Sequence, residues 1–161
     1  MPKYVLDSDY DYDYSLLALS AHIPDYKISI ELNHLLGINL VRDQPIELSN
    51  KSIKTPLLFS CFSYVDEEEQ TDYILLSNKS SNTVSSAAKA EALSLFKEER
   101  NDVKLLLISE LAQADFLLMI KADNHTELAN DIQNKLKTIT FVLSVQAINP
   151  ETLNSKKNLI I

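Results

Sequence analysis

One glycine, Gly37, stands in a chain of 161 residues, and this scarcity narrows the possible folds and chemistries more than any other feature. Loops that cradle phosphates need several glycines, because backbone amides must approach the ligand closely and φ must turn positive. A dinucleotide fingerprint and a Walker A loop are therefore excluded. Tight glycine hairpins are excluded too, so turns must be built from Asn, Asp and Pro. Gly37 has a structural use of its own. It follows residues 24–36, which carry apolar side chains at helical spacing, and it is placed to stop that helix in a left-handed cap. Ile38 then supplies the hydrophobic contact of a Schellman ending.

The rest of the chain reads as alternating short strands and helices. Strands are expected at residues 3–6, 15–21, 56–64, 71–77, 103–108, 116–121 and 141–148, with a last short strand at 158–161. Residues 56–64 and 71–77 form a hairpin around the acidic turn Asp66 to Gln70. Helices are expected at 24–36, at 86–100 and at 124–137, the last opened by a capping box of Asn124 and Glu127. Short helical turns follow Ser109 and Asn149, and the polar run 78–86 is expected to be flexible. This order predicts one α+β domain over residues 1–161, with helices on one face of a mostly antiparallel sheet and a partly ferredoxin-like arrangement. At 45% hydrophobic and 24% charged residues, the chain can build a real core.

Charge and cysteine content remove further classes. The net charge is −8 and the basic residues are scattered, which argues against nucleic acid and anionic membrane surfaces. A basic protein partner suits that balance better. Cys61 is the only cysteine, so no internal disulfide and no cysteine-based zinc site is expected. Acidic residues arrive before any signal-length apolar run, and no run approaches the roughly 20 residues of a membrane span. A cytoplasmic protein without a cofactor is the expectation.

Several residues invite a chemical reading. Asp7, Asp9, Asp11 and Asp13 alternate with Ser8, Tyr10, Tyr12 and Tyr14. An EF-hand loop needs Gly at its sixth position and Glu at its twelfth, and neither frame of this run supplies them. Asp7 and Asp9 also resemble the Asp-x-Asp pair of haloacid-dehalogenase phosphatases, although Asp11 stands where Thr or Val is usual. In extended form the run puts Tyr10, Tyr12 and Tyr14 on one side and the aspartates on the other. A solvated edge, a partner surface and weak divalent binding at Asp7, Asp9, Asp11 and Asp13 are the three readings. His22, His34 and His125 are not spaced as a metal site. His34 is read as half-buried, on a stripe with Tyr26 and Ile30, and Cys61 as an inert buried thiol.

The stretch Ile108-Ser109-Glu110-Leu111-Ala112-Gln113-Ala114-Asp115-Phe116 resembles the signature of the bacterial IPExxxVDY family. Ile108, Glu110 and Asp115 match it outright; Ser109, Ala114 and Phe116 depart conservatively. The opening acidic-aromatic run, Asp25-Tyr26, Ser77-Asn78-Lys79-Ser80 and Lys156-Lys157-Asn158-Leu159-Ile160 have the same look. The family's function is unassigned, so the resemblance implies no catalytic residue. Glu110 is expected to favour a helical N-terminus electrostatically, and Asp115 to hydrogen-bond at the turn into the next strand. The functional expectation is a non-enzymatic protein-binding or adaptor domain that meets its partner through the acidic-tyrosine edge. The alternative is a metal-dependent hydrolase or phosphatase using Asp7 and Asp9. A purely structural subunit that forms homo-oligomers is the third class.

Overall fold

A computed structural model describes residues 13–49, 56–80 and 106–160. The strand expected at 3–6, the helix at 86–100 and residues Asp7, Asp9, Tyr10, Asp11 and Tyr12 lie outside them. The described strands are β1 (Ser15–Ser20), β2 (Val41–Arg42), β3 (Ile46–Leu48), β4 (Leu57–Phe59), β5 (Cys61–Asp66), β6 (Thr71–Ser77), β7 (Phe116–Lys121) and β8 (Ser144–Ile148). The described helices are α1 (Asp25–Leu36) and α2 (His125–Leu136). Six strands form one sheet in the order β2-β5-β6-β7-β1-β8, and every neighbouring pair is antiparallel. β1 and β6 are both antiparallel to β7, which lies between them, so they run parallel to each other, joined through α1 and the strands β2–β5. β7 and β8 stand in the same relation around β1, joined through α2. These two interlocked split βαβ units are the ferredoxin-like part of an α+β fold.

The strands read Leu16-Leu17-Ala18-Leu19 and Phe116-Leu117-Leu118-Met119-Ile120 because both faces of the sheet are covered. Successive side chains point to opposite faces. Leu17, Leu19, Tyr73, Leu75, Phe116, Leu118 and Ile120 meet the helices through Ile28, Leu32, Ala129, Ile132 and Leu136. Leu16, Ala18, Leu76, Leu117 and Met119 meet a second layer of Leu57, Phe59, Leu107, Ile108, Leu153 and Leu159. Both helices lie on the first face. The second is covered by β4, by residues 107–114 and by the C-terminal segment. Each large aliphatic side chain buried this way contributes about 1.5–3 kcal/mol.

Three local features set the frame. Gly37 sits at φ 65, and the amides of Gly37 and Ile38 both donate to the Asn33 carbonyl. Asn33 then clamps the exit of α1: its Oδ1 accepts from the Leu40 amide at 2.7 Å and its Nδ2 donates to the Leu40 carbonyl at 3.2 Å. At Ser60 the chain leaves the β3–β4 pair and joins the large sheet, with the Ser77 amide donating to the Ser60 carbonyl at 3.0 Å. The turn after β5 has no glycine. Asp66 Oδ1 accepts from the amides of Glu68 and Glu69, both at 3.1 Å, and Gln70 takes the positive φ of 47.

Several expectations are corrected. The strand expected at 56–64 is two strands, broken at Ser60. β2 and β3 were not expected. Leu107 and Ile108 are not in a strand, because their amides turn to Asn78 instead of a neighbouring ladder. The C-terminal residues form a 3-10 turn, Lys156–Leu159, which buries Leu159 completely. β8 starts at Ser144, because Val142 is held in a turn by the Ile139 carbonyl. Asn124 precedes α2 but its side chain makes no capping bond. On α1 the buried line is Ile28, Ser29 and Leu32, so Tyr26, Ile30 and His34 face solvent and His34 is not half-buried.

A Cβ on Gly37 would meet nothing within 4 Å, so substitution there strains only the backbone. Gly37→Ala is expected to lower stability by about 1 kcal/mol. Urea unfolding should show a reduced midpoint with an unchanged slope; an unchanged midpoint contradicts the left-handed cap.

Candidate functional site

The sheet's end at β1's first residue gathers the only described member of the Asp7 to Asp13 run. Asp13 is exposed just before β1 and lines a cavity of about 320 Å³ with Gln70, Asp72, Lys121, Ala122, Asp123 and His125. Topology explains the gathering. β1 begins, β6 begins and β7 ends at this edge, with Ser15 opposite Ile120 and Asp72 opposite Lys121. β7 then passes through Ala122 to Asn124 into α2, which starts at His125.

His125 is the fixed element of the cavity. Its Nδ1 lies 2.8 Å from Ser15 Oγ and 3.5 Å from Thr126 Oγ1. The Ser15 contact orients the ring and leaves Nε2 to make other contacts. Three carboxylates, Asp13, Asp72 and Asp123, line the same cavity, with Lys121 as its cationic member. The arrangement suits attraction of a cationic group, and the Ser15 hydroxyl shares one hydrogen bond with His125 Nδ1, its direction set by the imidazole tautomer. Among the described residues, no three His, Cys, Asp or Glu side chains converge as metal ligands. Asp13 thus stands with Asp72 and Asp123 around a cleft, while Asp7, Asp9 and Asp11 lie outside the described residues.

Tyr14 corrects the expected tyrosine edge. It is 4% exposed and packs in the second core layer with Leu16, Leu76 and Met119, so its ring is not a partner surface. Tyr10 and Tyr12 lie outside the described residues. Cys61 is buried in the same layer, and burial, followed by the nearby Asp43 charge, pushes its thiol up to about 11. That thiol stays protonated and unreactive at neutral pH.

The signature residues form a second constellation, at the opposite end of β1. Ile108 is fully buried and Phe116 is 4% exposed, on opposite faces of the sheet. The residue that organises them is Asn78, which is 0% exposed although the sequence places it in a polar run expected to be flexible. Its Oδ1 accepts from the Ile108 amide at 2.8 Å; its Nδ2 donates to the carbonyls of Leu111 at 2.9 Å and Ala114 at 3.0 Å, with Ile108 O at 3.4 Å. Its backbone adds two more bonds, to Asp115 O and from the Leu107 amide, both at 2.9 Å.

Asp115 and Glu110 tie this loop outward. Asp115 Oδ2 accepts from the Ala21 amide at 2.9 Å and its Oδ1 pairs with Lys79 Nζ at 2.7 Å. Glu110 Oε1 accepts from the Ser155 amide at 2.8 Å, and Asn158 Nδ2 donates to Leu107 O at 2.8 Å. Partial burial pushes the Glu110 carboxyl up, but hydrogen bonds from its own amide, from Ser155 and from Ser109 outweigh that and hold it below its ordinary value. Three stretches distant in the chain, around 78, 108–116 and 158, therefore meet in space. Asn78 was missed as a site residue because its neighbours are Ser, Lys and Ser; its place just after a predicted buried strand was the available signal.

No family model, no curated protein and no solved structure matches the chain.

Glu110 has a consequence for acid stability. Its folded pKa is depressed, so its contribution is present above the ordinary value of 4.5 and lost as pH falls through the lower folded value. Glu110→Gln should cost roughly 0.5 kcal/mol at pH 7, a figure kept small by solvent screening, and less than that at pH 3. Urea unfolding of both proteins at the two pH values checks this, and an equal gap at both contradicts the tie to Ser155.

Proposed function

We propose that this chain is a non-enzymatic protein-binding domain of the cytoplasm whose acidic cleft receives a basic segment of its partner. The observation that carries the reading is the cavity edged by Asp13, Asp72 and Asp123 around an oriented His125. Charge complementarity of this kind steers a basic segment and sets its register. The net charge of −8 extends the same field over the surface, and Asp7, Asp9 and Asp11 precede Asp13 directly in sequence. The partner-facing part of the acidic run is thus assigned to its carboxylates, with Tyr14 serving the core. No helix of the described residues is long and apolar enough to cross a membrane.

We also read the chain as a member of the IPExxxVDY family, with Glu110 and Asp115 acting as structural ties. What supports that reading is the convergence of Asn78, Glu110, Asp115 and Asn158 on one loop. In this account the signature holds the fold, and the binding work falls to the other end of the sheet.

The test uses Asp72→Asn/Asp123→Asn, two substitutions at partly or fully exposed positions. Tagged wild-type and variant chains are used to capture partners from the host lysate, and the captured protein's affinity is then measured. Loss of two rim charges should weaken binding roughly 3- to 10-fold, with a reduced salt dependence. Equal affinity and equal salt dependence in the variant would refute the cleft as the binding surface.

A further inference from the structure

The two edges of the six-stranded sheet are built differently. The β2 edge is two residues long, carries Arg42, and is followed by Asp43 and Pro45. Shortness, charge and proline are the ordinary means of keeping an edge from pairing. The β8 edge has none of them. Its five residues are Ser144-Val145-Gln146-Ala147-Ile148, without charge, proline or glycine. Their pairing with β1 runs without a bulge from Leu16↔Ile148 to Ser20↔Ser144. β8 is the last strand of the order among the described residues, so one row of its amides and carbonyls faces away from β1. One side-chain bond reaches its backbone, from Gln133 Nε2 to the Val145 carbonyl at 3.2 Å.

From this edge we infer that β8 pairs antiparallel with β8 of a second copy, joining two sheets into one across a two-fold axis at Gln146. The strand is suited to its own copy. Full overlap about Gln146 sets Gln146 against itself, Val145 against Ala147 and Ser144 against Ile148. Directly opposed residues share a face. Each of these pairs is uncharged, so the net charge of −8 on each chain opposes the contact only at a distance. The amide pair at Gln146 can exchange hydrogen bonds across the axis. Leu143, 62% exposed at the start of the strand, gains cover from the end of the second one. A five-residue edge is smaller than a standard interface, so the dimer is reversible and depends on concentration. This inference is independent of the partner cleft, whose lining includes no residue of β8.

Cysteine cross-linking of the full chain tests the register. Cys61 is buried, so an introduced thiol is the reactive one. Under mild oxidation Gln146→Cys should form a covalent dimer, because directly opposed Cβ atoms lie about 4.5–5.5 Å apart. Ser144→Cys places its thiols about four residues apart along the strand, on the order of 14 Å, and should stay monomeric. Sedimentation of the wild type should show mass rising toward two chains with concentration. Ala147→Lys, at an exposed position, should remain monomeric with an unchanged melting temperature. If Gln146→Cys does not cross-link in preference to Ser144→Cys, the inference fails whatever sedimentation shows. Persistence of the dimer in a folded Ala147→Lys chain also overturns it.

Discussion

The side chain of Asn78 does what a strand partner would otherwise do for residues 107–114. That segment covers the second face of the sheet with Leu107, Ile108 and Ala114, yet it runs in no ladder. The Ile108 amide and the Ile108, Leu111 and Ala114 carbonyls are buried or partly buried and need partners, since an orphaned buried group costs about 1–3 kcal/mol. Asn78 supplies both a donor and an acceptor from one point, and its backbone adds bonds to Asp115 and Leu107. Asp115 then fixes the same loop to Ala21 at the end of β1, and Glu110 fixes it to Ser155. The cover on one face of the sheet is thereby tied to β1, to β6 and to the C-terminal segment at once.

The same device recurs at three other turns of the described residues. Asn33 closes the exit of α1 onto Leu40, Asp66 closes the β5–β6 turn onto Glu68 and Glu69, and Asn149 closes the 3-10 turn after β8 onto Glu151. Short Asn and Asp side chains imitate a backbone turn, so each of these points needs at most one residue at positive φ. Where a positive φ is needed, Gly37 and Gln70 take it. The scarcity of glycine is thus consistent with a fold whose corners are made by side-chain amides and carboxylates.

Much of this was legible in advance because it is local. The period of the apolar residues gave β1, β6, β7, α1 and α2, and a helix stop was expected at Gly37. The ferredoxin-like order followed from the sequence of elements. What was not legible depends on contacts distant in the chain. β2 and β3 are two and three residues long and carry too little pattern to show a period. The α1 stripe was misassigned because Tyr26 and Ile30 lie at helical spacing with His34, and only the position of the sheet decides that Ile28 and Leu32 face inward. Asn78 looks like a surface residue until Ile108, Leu111 and Ala114 are brought around it. The cleft around His125 was also hidden, since Asp13, Asp72 and Asp123 are joined by strand register alone. The tyrosine edge failed at Tyr14 because β1 begins at the next residue and buries it.

Structure and function divide between the two ends of β1 in this account. Asn78, Glu110 and Asp115 hold one end closed, and the carboxylates line a cleft at the other. Equilibrium unfolding of Asn78→Ala tests the first half most directly. Removing the amide takes the Asn78 bond from the Ile108 amide and the Ala114 carbonyl, and one of two from the Leu111 carbonyl, which also accepts from the Ala114 amide, and the expected loss is about 3–5 kcal/mol. A loss below about 1 kcal/mol, the size of an ordinary surface change, would contradict the claim that Asn78 holds the fold's second layer in place.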